Sequence, residues 1–155
     1  MRRVVVILAV MLVSVGAGAQ RAQQRQTSPG AGQPVEVFKS PTCGCCSKWV
    51  DHLRSHGFTV RTTDTDAIDD IKAKHQVPQG ARSCHTALVG GYVVEGHVPA
   101  ADVQRLLKER PAVAGIAVPG MPIGSPGMEV PGMKAQSYDV IAFTKQGTTK
   151  VFASH

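Results

Sequence analysis

Residues 35–49 read VEVFKSPTCGCCSKW, and they carry the clearest indication of the fold. Its apolar start, 35–38, predicts a short buried strand, and the proline and glycine that follow predict a turn. Apolar residues then recur at helical spacing from Trp49 onward. The turn holds three of the chain's four cysteines: Cys43, Cys45 and Cys46. A helix start exposes free backbone N–H groups and the positive end of the helix dipole, which together favour thiolate over thiol.

The residues that follow predict alternating helices and strands. These are a helix to about His56, a strand over 58–62, a helix through 68–74, a hairpin over 87–97 and a helix up to Pro111. The order predicts an α/β fold, a thioredoxin-like mixed sheet flanked by helices. In such a domain the loop before the third strand crosses close to the turn after the first. Cys84 lies on that loop, so we expect it to meet the three cysteines of the turn.

The composition divides the chain into five parts. They are a signal peptide (1–19), a disordered spacer (20–33), the thioredoxin-like cysteine-cluster domain (34–111), a Pro-Gly-Met segment (112–136) and a C-terminal hairpin packed on the same domain (137–155). Three copies of Pro-Gly-Met in the fourth part predict that neither helix nor strand forms there. We therefore expect one compact domain with tails.

The first residues have the pattern of a cleavable export signal: two arginines, an apolar run over 4–15 and small residues up to Ala19. The apolar run is short for a membrane span, and an uncleaved anchor is the alternative. We expect a periplasmic protein without membrane contact after cleavage. The net charge of +6 falls to +4 once Arg2 and Arg3 are removed. This excess is spread along the chain, which argues against nucleic-acid binding.

Cys43 and Cys46 have the C-x-x-C spacing of thiol-disulfide oxidoreductases, in which they would be the catalytic pair. Cys45 and Cys84 add two further sulfurs, and four converging thiolates suit copper(I), zinc or an iron-sulfur cluster. A bridge between Cys43 and Cys46, or from one of the three turn cysteines to Cys84, is the expected disulfide. A purely structural pair of disulfides is the alternative, although a bridge within so short a loop constrains little of the unfolded chain.

The histidines offer a second type of ligand. His85 directly follows Cys84 and is either a metal ligand, a proton donor to a sulfur or a loop histidine bonded to the backbone. His97 would approach the cysteines if Gly96 turns the chain. We interpret His52 and His56 as solvated residues on one helical face, too far along the helix to join the cysteine site.

Every methionine beyond the signal peptide lies in a Pro-Gly-Met triplet: Met121, Met128 and Met133. Thioethers prefer copper(I), so Met121 and Met128 are candidate ligands. The alternative is that the methionines only fill gaps in an irregular segment that packs over the domain.

Four stretches resemble the signature motifs of the CopG-type periplasmic copper-resistance proteins: 40–46 (SPTCGCC), 83–87 (SCHTA), 95–99 (EGHVP) and 120–129 (GMPIGSPGME). The resemblance covers about Val35 to Glu129. It implies a thioredoxin-like fold and a role in handling copper in the periplasm, in which the cysteines bind copper(I) and interconvert its oxidation states. The copper site that it implies is built by four residues: Cys43, Cys45, Cys46 and Cys84.

The leading hypothesis is thus a periplasmic protein that binds copper(I), and in a redox cycle copper(II), with zinc as a less suitable occupant. Its partners would be copper ions and other periplasmic copper-handling proteins. The alternative is a thiol-disulfide oxidoreductase in which Cys43 attacks and Cys46 resolves. The Pro-x-Cys start of the turn also suggests an arsenate-reductase-like enzyme, but export to an oxidising compartment argues against it.

Overall fold

The computed structural model describes residues 32–155. The predicted signal peptide, and residues 20–31 of the predicted spacer, lie outside the described residues. The elements, in chain order, are β1 (Pro34–Lys39), α1 (Gly44–Ser55), β2 (Thr59–Asp64), α2 (Ile68–Lys74), a 3₁₀-helix (Gln79–Ala81), β3 (His85–Val89), β4 (Tyr92–Glu95), α3 (Ala100–Glu109), β5 (Gly115–Ala117), β6 (Asp139–Phe143) and β7 (Thr149–Ser154).

The strands form one mixed sheet in the order β2-β1-β3-β4-β5-β6-β7. The β1–β2 and β4–β5 pairs are parallel, and the other four pairs are antiparallel. The predicted sequence of strands and helices through α3 is observed, and the α/β class is confirmed. Because β3 runs antiparallel to β1, the start of β3 lies beside the end of β1. This register brings the two cysteine-bearing segments to one edge of the sheet.

Helices α1 and α3 bury their apolar stripes in the main core. Trp49, Val50 and Leu53 on α1 are at most 2% exposed, and Val103 and Leu106 on α3 are fully buried. Their spacing of three or four residues puts them on one helical face. The same core continues along the sheet from β1 to β6. The packing that holds α1 in place therefore involves residues far apart in sequence.

Strand β5 corrects the prediction that the sheet domain ends at residue 111 and that no strand forms over 112–136. Gly115–Ala117 pairs with β4 on one side and with β6 on the other. Three residues are too few to show an alternating pattern, so the sequence did not reveal the strand. Gly115 is needed because a Cβ there would clash with the Val93 carbonyl oxygen of the neighbouring strand and would lie 2.8 Å from Phe143 Cζ.

The C-terminal hairpin of the predicted fold is present as β6 and β7, and β6 pairs with β5. The sheet therefore continues through the hairpin. Between β5 and β6, residues 118–138 contain neither helix nor strand, as the Pro-Gly-Met triplets predict. Over residues 32–155, no helix is both long enough and apolar enough to cross a membrane.

Candidate metal centre

The first turn of α1 gathers three of the four sulfurs. Cys43 caps the helix, and its Sγ accepts a hydrogen bond from the Cys46 backbone N–H at 3.3 Å. Cys43 and Cys46 form a disulfide with 5.4 Å between their Cα atoms, whereas Cys45 is a free thiol. The Cys45 and Cys43 sulfurs are 3.5 Å apart. This bridge is one of the possible disulfides that the sequence left open.

Cys84 meets these three cysteines from the start of β3. His85 pairs with Lys39 in the sheet, so the residue before it lies beside the turn that follows β1. The sulfurs of all four cysteines are within 4.8 Å of one another. The convergence expected from the sequence is therefore observed, and the four Sγ atoms form a cluster whose size and softness fit a thiophilic metal ion.

Burial, and secondarily the nearby Cys45 thiol, raises the pKa of Cys84 to about 11. The Ser83 hydroxyl and Lys72 oppose this increase without cancelling it. In the metal-free protein Cys84 is therefore a neutral thiol at neutral pH. A metal ion that binds its sulfur must displace the proton, so metal affinity is expected to rise with pH.

His85 is completely buried beneath the cluster, with Nδ1 3.2 Å from Cys84 Sγ and its ring 4.3 Å from the Trp49 ring. Its Nε2 has no hydrogen-bond partner among the described residues. A buried N–H without an acceptor costs more than a buried lone pair without a donor, which favours the tautomer with the proton on Nδ1. In that tautomer His85 donates to the Cys84 sulfur, one of the roles that the sequence left open.

Because His85 is buried, the stability of the metal-free protein is expected to depend on pH. Burial, helped by His97 and Lys72, holds the pKa of His85 well below 6.5. Below pH 6.5 the unfolded chain binds this proton and the folded protein does not, so the free energy of unfolding falls as the pH falls. One such proton contributes up to about 1.4 kcal/mol per pH unit. Denaturant unfolding between pH 7 and 5 measures the slope.

The matched variant for this measurement is His85→Phe, which keeps an aromatic ring against Trp49 but cannot bind a proton. Burial also lowers the pKa values of His52 and His97, so the variant should keep part of the pH dependence. The free energy of unfolding of the variant should depend less on pH than that of the parent, by the contribution of about one proton. An equal pH dependence in the two proteins would mean that His85 binds no more protons in the unfolded chain than in the folded protein.

His97 reaches the cluster because Gly96 turns the chain at the end of β4. Gly96 has φ +71°, and a Cβ there would lie 2.7 Å from the Val118 carbonyl oxygen. His97 is completely buried; its Nδ1 donates to the Pro126 carbonyl at 2.8 Å, which leaves the lone pair of Nε2 facing Cys84 Sγ at 3.0 Å. The approach of His97 that the sequence made conditional on Gly96 is confirmed.

A second set of ligand atoms thus shares Cys84 with the four-sulfur cluster. Cys84, His85 and His97 place one ligand atom each within 4.8 Å of the other two. The backbone carbonyl of Pro126 orients His97 as outer-sphere carbonyls orient metal-binding histidines. The sequence did not reveal this contact, because Pro126 is 29 residues away from His97 and no side-chain pattern marks a carbonyl.

The interpretation of His52 and His56 as two solvated residues is wrong for His52. His52 is half-buried, and its Nε2 accepts a hydrogen bond from the Ala100 backbone N–H at 3.0 Å, at the start of α3. Burial, followed by the neighbouring His56, lowers the pKa of His52. His56 is exposed, as expected. This contact is made with another helix, so the spacing of residues along α1 does not predict it.

The Pro-Gly-Met segment contacts two residues that adjoin Cys84. The Ser83 hydroxyl donates to the Gly120 carbonyl, and the Pro126 carbonyl accepts from His97. Met121 and Met133 are 52% and 54% exposed, which argues against gap-filling packing for those two. Met128 is partly buried. The role of Met121 and Met128 as ligands remains a prediction.

Gly127 fixes this segment against α1, which leads to a second expected result. Its φ is +85°, and a Cβ there would lie 2.8 Å from the Cys45 carbonyl oxygen and 2.9 Å from the Trp49 backbone nitrogen. Gly127→Ala should therefore lower the free energy of unfolding by about 1–3 kcal/mol through overpacking, in addition to the penalty for positive φ. Gly132→Ala is the matched control, because Gly132 has φ +79° and open space around its Cα. If both variants lose equal stability in denaturant unfolding, the close approach is not the cause.

Comparisons with known proteins agree with this geometry. The family described as "Protein of unknown function, DUF411" matches residues 81–128, which include Cys84, both buried histidines and two of the triplets. No curated protein matches the chain. Two solved structures, titled "Copper resistance protein copG", Form 1 and Form 2, are each 41% identical to it with a TM-score of 0.75. The similarity covers 80% of this chain and 98% of each of those chains. At this identity and coverage, the chain belongs to the CopG family of copper-resistance proteins.

Proposed function

We propose that this protein binds copper(I) through the thiolates of its four-cysteine cluster and thereby contributes to copper resistance. One observation carries the proposal: the four sulfurs of Cys43, Cys45, Cys46 and Cys84 lie within 4.8 Å of one another. Thiolate sulfur is the ligand that copper(I) prefers among those proteins offer. Zinc can also occupy a site with four sulfurs, and the membership of a copper-resistance family favours copper.

The copper-binding state requires reduction of the disulfide. Conversion of the Cys43–Cys46 bridge into two thiolates takes two electrons. A dithiol reductant can provide them and become a disulfide itself. Alternatively, two copper(I) ions can each give one electron and become copper(II), and the reverse reaction would oxidise the thiolates while it reduces copper(II). The second route would give the protein a redox activity toward its own cargo.

His97 extends this site beyond sulfur. The Nε2 lone pair of His97 faces Cys84, and imidazole nitrogen suits copper(II) better than thioether does. His97 can also accept the Cys84 proton when a metal ion binds that sulfur. The Met121 and Met128 thioethers are proposed as weaker copper(I) ligands.

We place this activity in the periplasm, on the basis of the export pattern in residues 1–19. In that compartment the protein would exchange copper with other copper-handling proteins. An oxidising compartment also accounts for the Cys43–Cys46 bridge.

The test is an anaerobic titration of the reduced protein with copper(I) against a competing copper(I) chelator. The expected result is that the protein removes copper from the chelator with a defined number of ions per chain. The same titration with the Cys43–Cys46 disulfide intact should show much weaker binding, because two of the four ligands are then blocked. If the reduced protein leaves copper(I) with the chelator, the proposed function is wrong.

A thiol-disulfide oxidoreductase is the second candidate, and the disulfide at the N-terminus of α1 favours it. The Cys43 thiolate would attack a substrate disulfide, and Cys46 would then attack the mixed disulfide and release the second substrate thiolate. Metal-free, reduced protein should reduce an aryl disulfide reagent in this case. Activity should be lost in Cys43→Ser and kept in Cys45→Ser. No activity in the metal-free parent would exclude this candidate.

A further inference from the structure

We infer that the buried ion pair of Lys72 and Glu95 holds Cys84 in position for the metal cluster. The inference deepens the proposed function and rests on it. Neither residue belongs to the set of metal ligands. Lys72 lies on α2, and Glu95 is the last residue of β4. The two side chains are 3% and 0% exposed, and Lys72 Nζ lies 2.5 Å from Glu95 Oε1.

The carboxylate of Glu95 binds the Cys84 loop on both sides of the cysteine. Oε1 accepts the Ser83 backbone N–H at 2.7 Å, and Oε2 accepts the Thr86 hydroxyl at 2.7 Å. Ser83 immediately precedes Cys84, and Thr86 follows it by two residues. The backbone adds one more connection, since the Gly96 N–H donates to the His85 carbonyl at 3.0 Å. The loop that presents the fourth sulfur is thus held to the end of β4.

Lys72 completes this network. A buried carboxylate without a counter-charge would be costly, and the ammonium group compensates it while donating a second hydrogen bond to the Thr86 hydroxyl at 3.0 Å. Hydrogen bonds to an ionised acceptor are roughly twice as strong as neutral ones. A buried ion pair often adds little net stability compared with apolar residues, so its value here lies in fixing one geometry.

The same pair also affects the second ligand of Cys84. Glu95 is followed by Gly96 and then by His97, whose Nε2 lies 3.0 Å from Cys84 Sγ. A shift of the Glu95 side chain relative to β3 therefore changes the distance between the two segments that supply Cys84 and His97. Lys72 and Glu95 are positioning residues, because they act through the loop and do not contact the metal site directly.

The test compares the copper(I) affinity of reduced parent, Glu95→Gln and Lys72→Met/Glu95→Gln, each confirmed as folded by circular dichroism. Because Glu95→Gln leaves a buried ammonium group without its partner, the double variant, which removes both charges, is measured beside it. Loss of an outer-sphere partner typically weakens metal binding about 10–100-fold, and that loss is expected in both variants. The matched control is Asp102→Asn, which neutralises the buried Asp102 carboxylate that lies 2.7 Å from His155 Nε2, and it should leave copper affinity unchanged.

A double-mutant cycle with Cys84→Ser separates positioning from a general structural effect. If the pair acts through Cys84, its removal should have no further effect on copper affinity once the Cys84 thiol is gone. An equal loss of affinity in both backgrounds would overturn the inference, as would parental affinity in the folded double variant.

A separate readout keeps the inference distinct from the proposed function. In a Cys45→Ser background with the disulfide intact, Cys84 is the one free thiol of the chain. Its alkylation rate by iodoacetamide, divided by the thiolate fraction that the pH dependence of the rate gives for each protein, should rise in the Lys72→Met/Glu95→Gln variant as the loop is released, because Lys72 also lowers the pKa of Cys84. If the parent fails to bind copper(I), the proposed function is wrong, and an unchanged alkylation rate would overturn the positioning role as well. A raised rate would support that role on its own.

Discussion

Cys84→Ser is expected to weaken copper(I) binding by more than about 100-fold, because even an outer-sphere change at a metal site costs 10–100-fold. The hydroxyl of serine has nearly the shape of the thiol, but it is a hard donor that keeps its proton at neutral pH. The three sulfurs of the turn remain, and they lose the one sulfur that comes from the loop before β3. Competition with a copper(I) chelator under anaerobic conditions measures the change.

Two comparisons make this result specific. Ser55→Ala removes a hydroxyl at the far end of α1 and should bind copper as the parent does, since its bond is to the His52 carbonyl of the same helix. Reduced, metal-free Cys84→Ser should unfold at nearly the parental denaturant concentration. Copper binding in Cys84→Ser that equals the parent would show that the turn cysteines form the site without β3.

Trp49→Ala is expected to have the largest effect on stability, about 3–5 kcal/mol, the usual cost for a large buried aromatic residue. Trp49 is completely buried, and its Nε1 donates to the Val98 carbonyl at 2.8 Å. The substitution leaves a cavity between α1 and the sheet and a carbonyl without its donor. It also removes the ring that lies 4.3 Å from His85 beneath the cluster. A domain with a total stability of about 5–15 kcal/mol would lose much of it.

Urea unfolding followed by circular dichroism measures this loss, since Trp49 is the only tryptophan and fluorescence would vanish with it. Trp49→Phe is the matched variant: it keeps an aromatic ring and loses the hydrogen bond, at a cost of about 1 kcal/mol plus the change in volume. A loss below about 1 kcal/mol for Trp49→Ala would contradict the packing described for α1.

Much of the fold could be predicted from the sequence because its signals are local. The apolar run before the turn, the helical spacing after it and the glycines between strands predict nine of the elements in their correct order. Strand β5 could not be predicted, because its three residues are held by partners on β4 and β6 rather than by their own pattern. Nor does the half-burial of His52 follow from its helix, since the contact is made by α3.

For the site, the available groups and their approximate positions follow from the sequence: three thiols at a helix start and a fourth on the loop before β3. Their arrangement depends on the folded chain. The disulfide between Cys43 and Cys46, and the approach of His97 to Cys84 through the Gly96 turn and the Pro126 carbonyl, are visible only in the structure. The same is true of the contact between Lys72 and Glu95 behind the loop. The physical reason is that contacts with backbone carbonyls and between buried charges depend on the distances between segments of the folded chain. The spacing of residues along the sequence does not determine those distances.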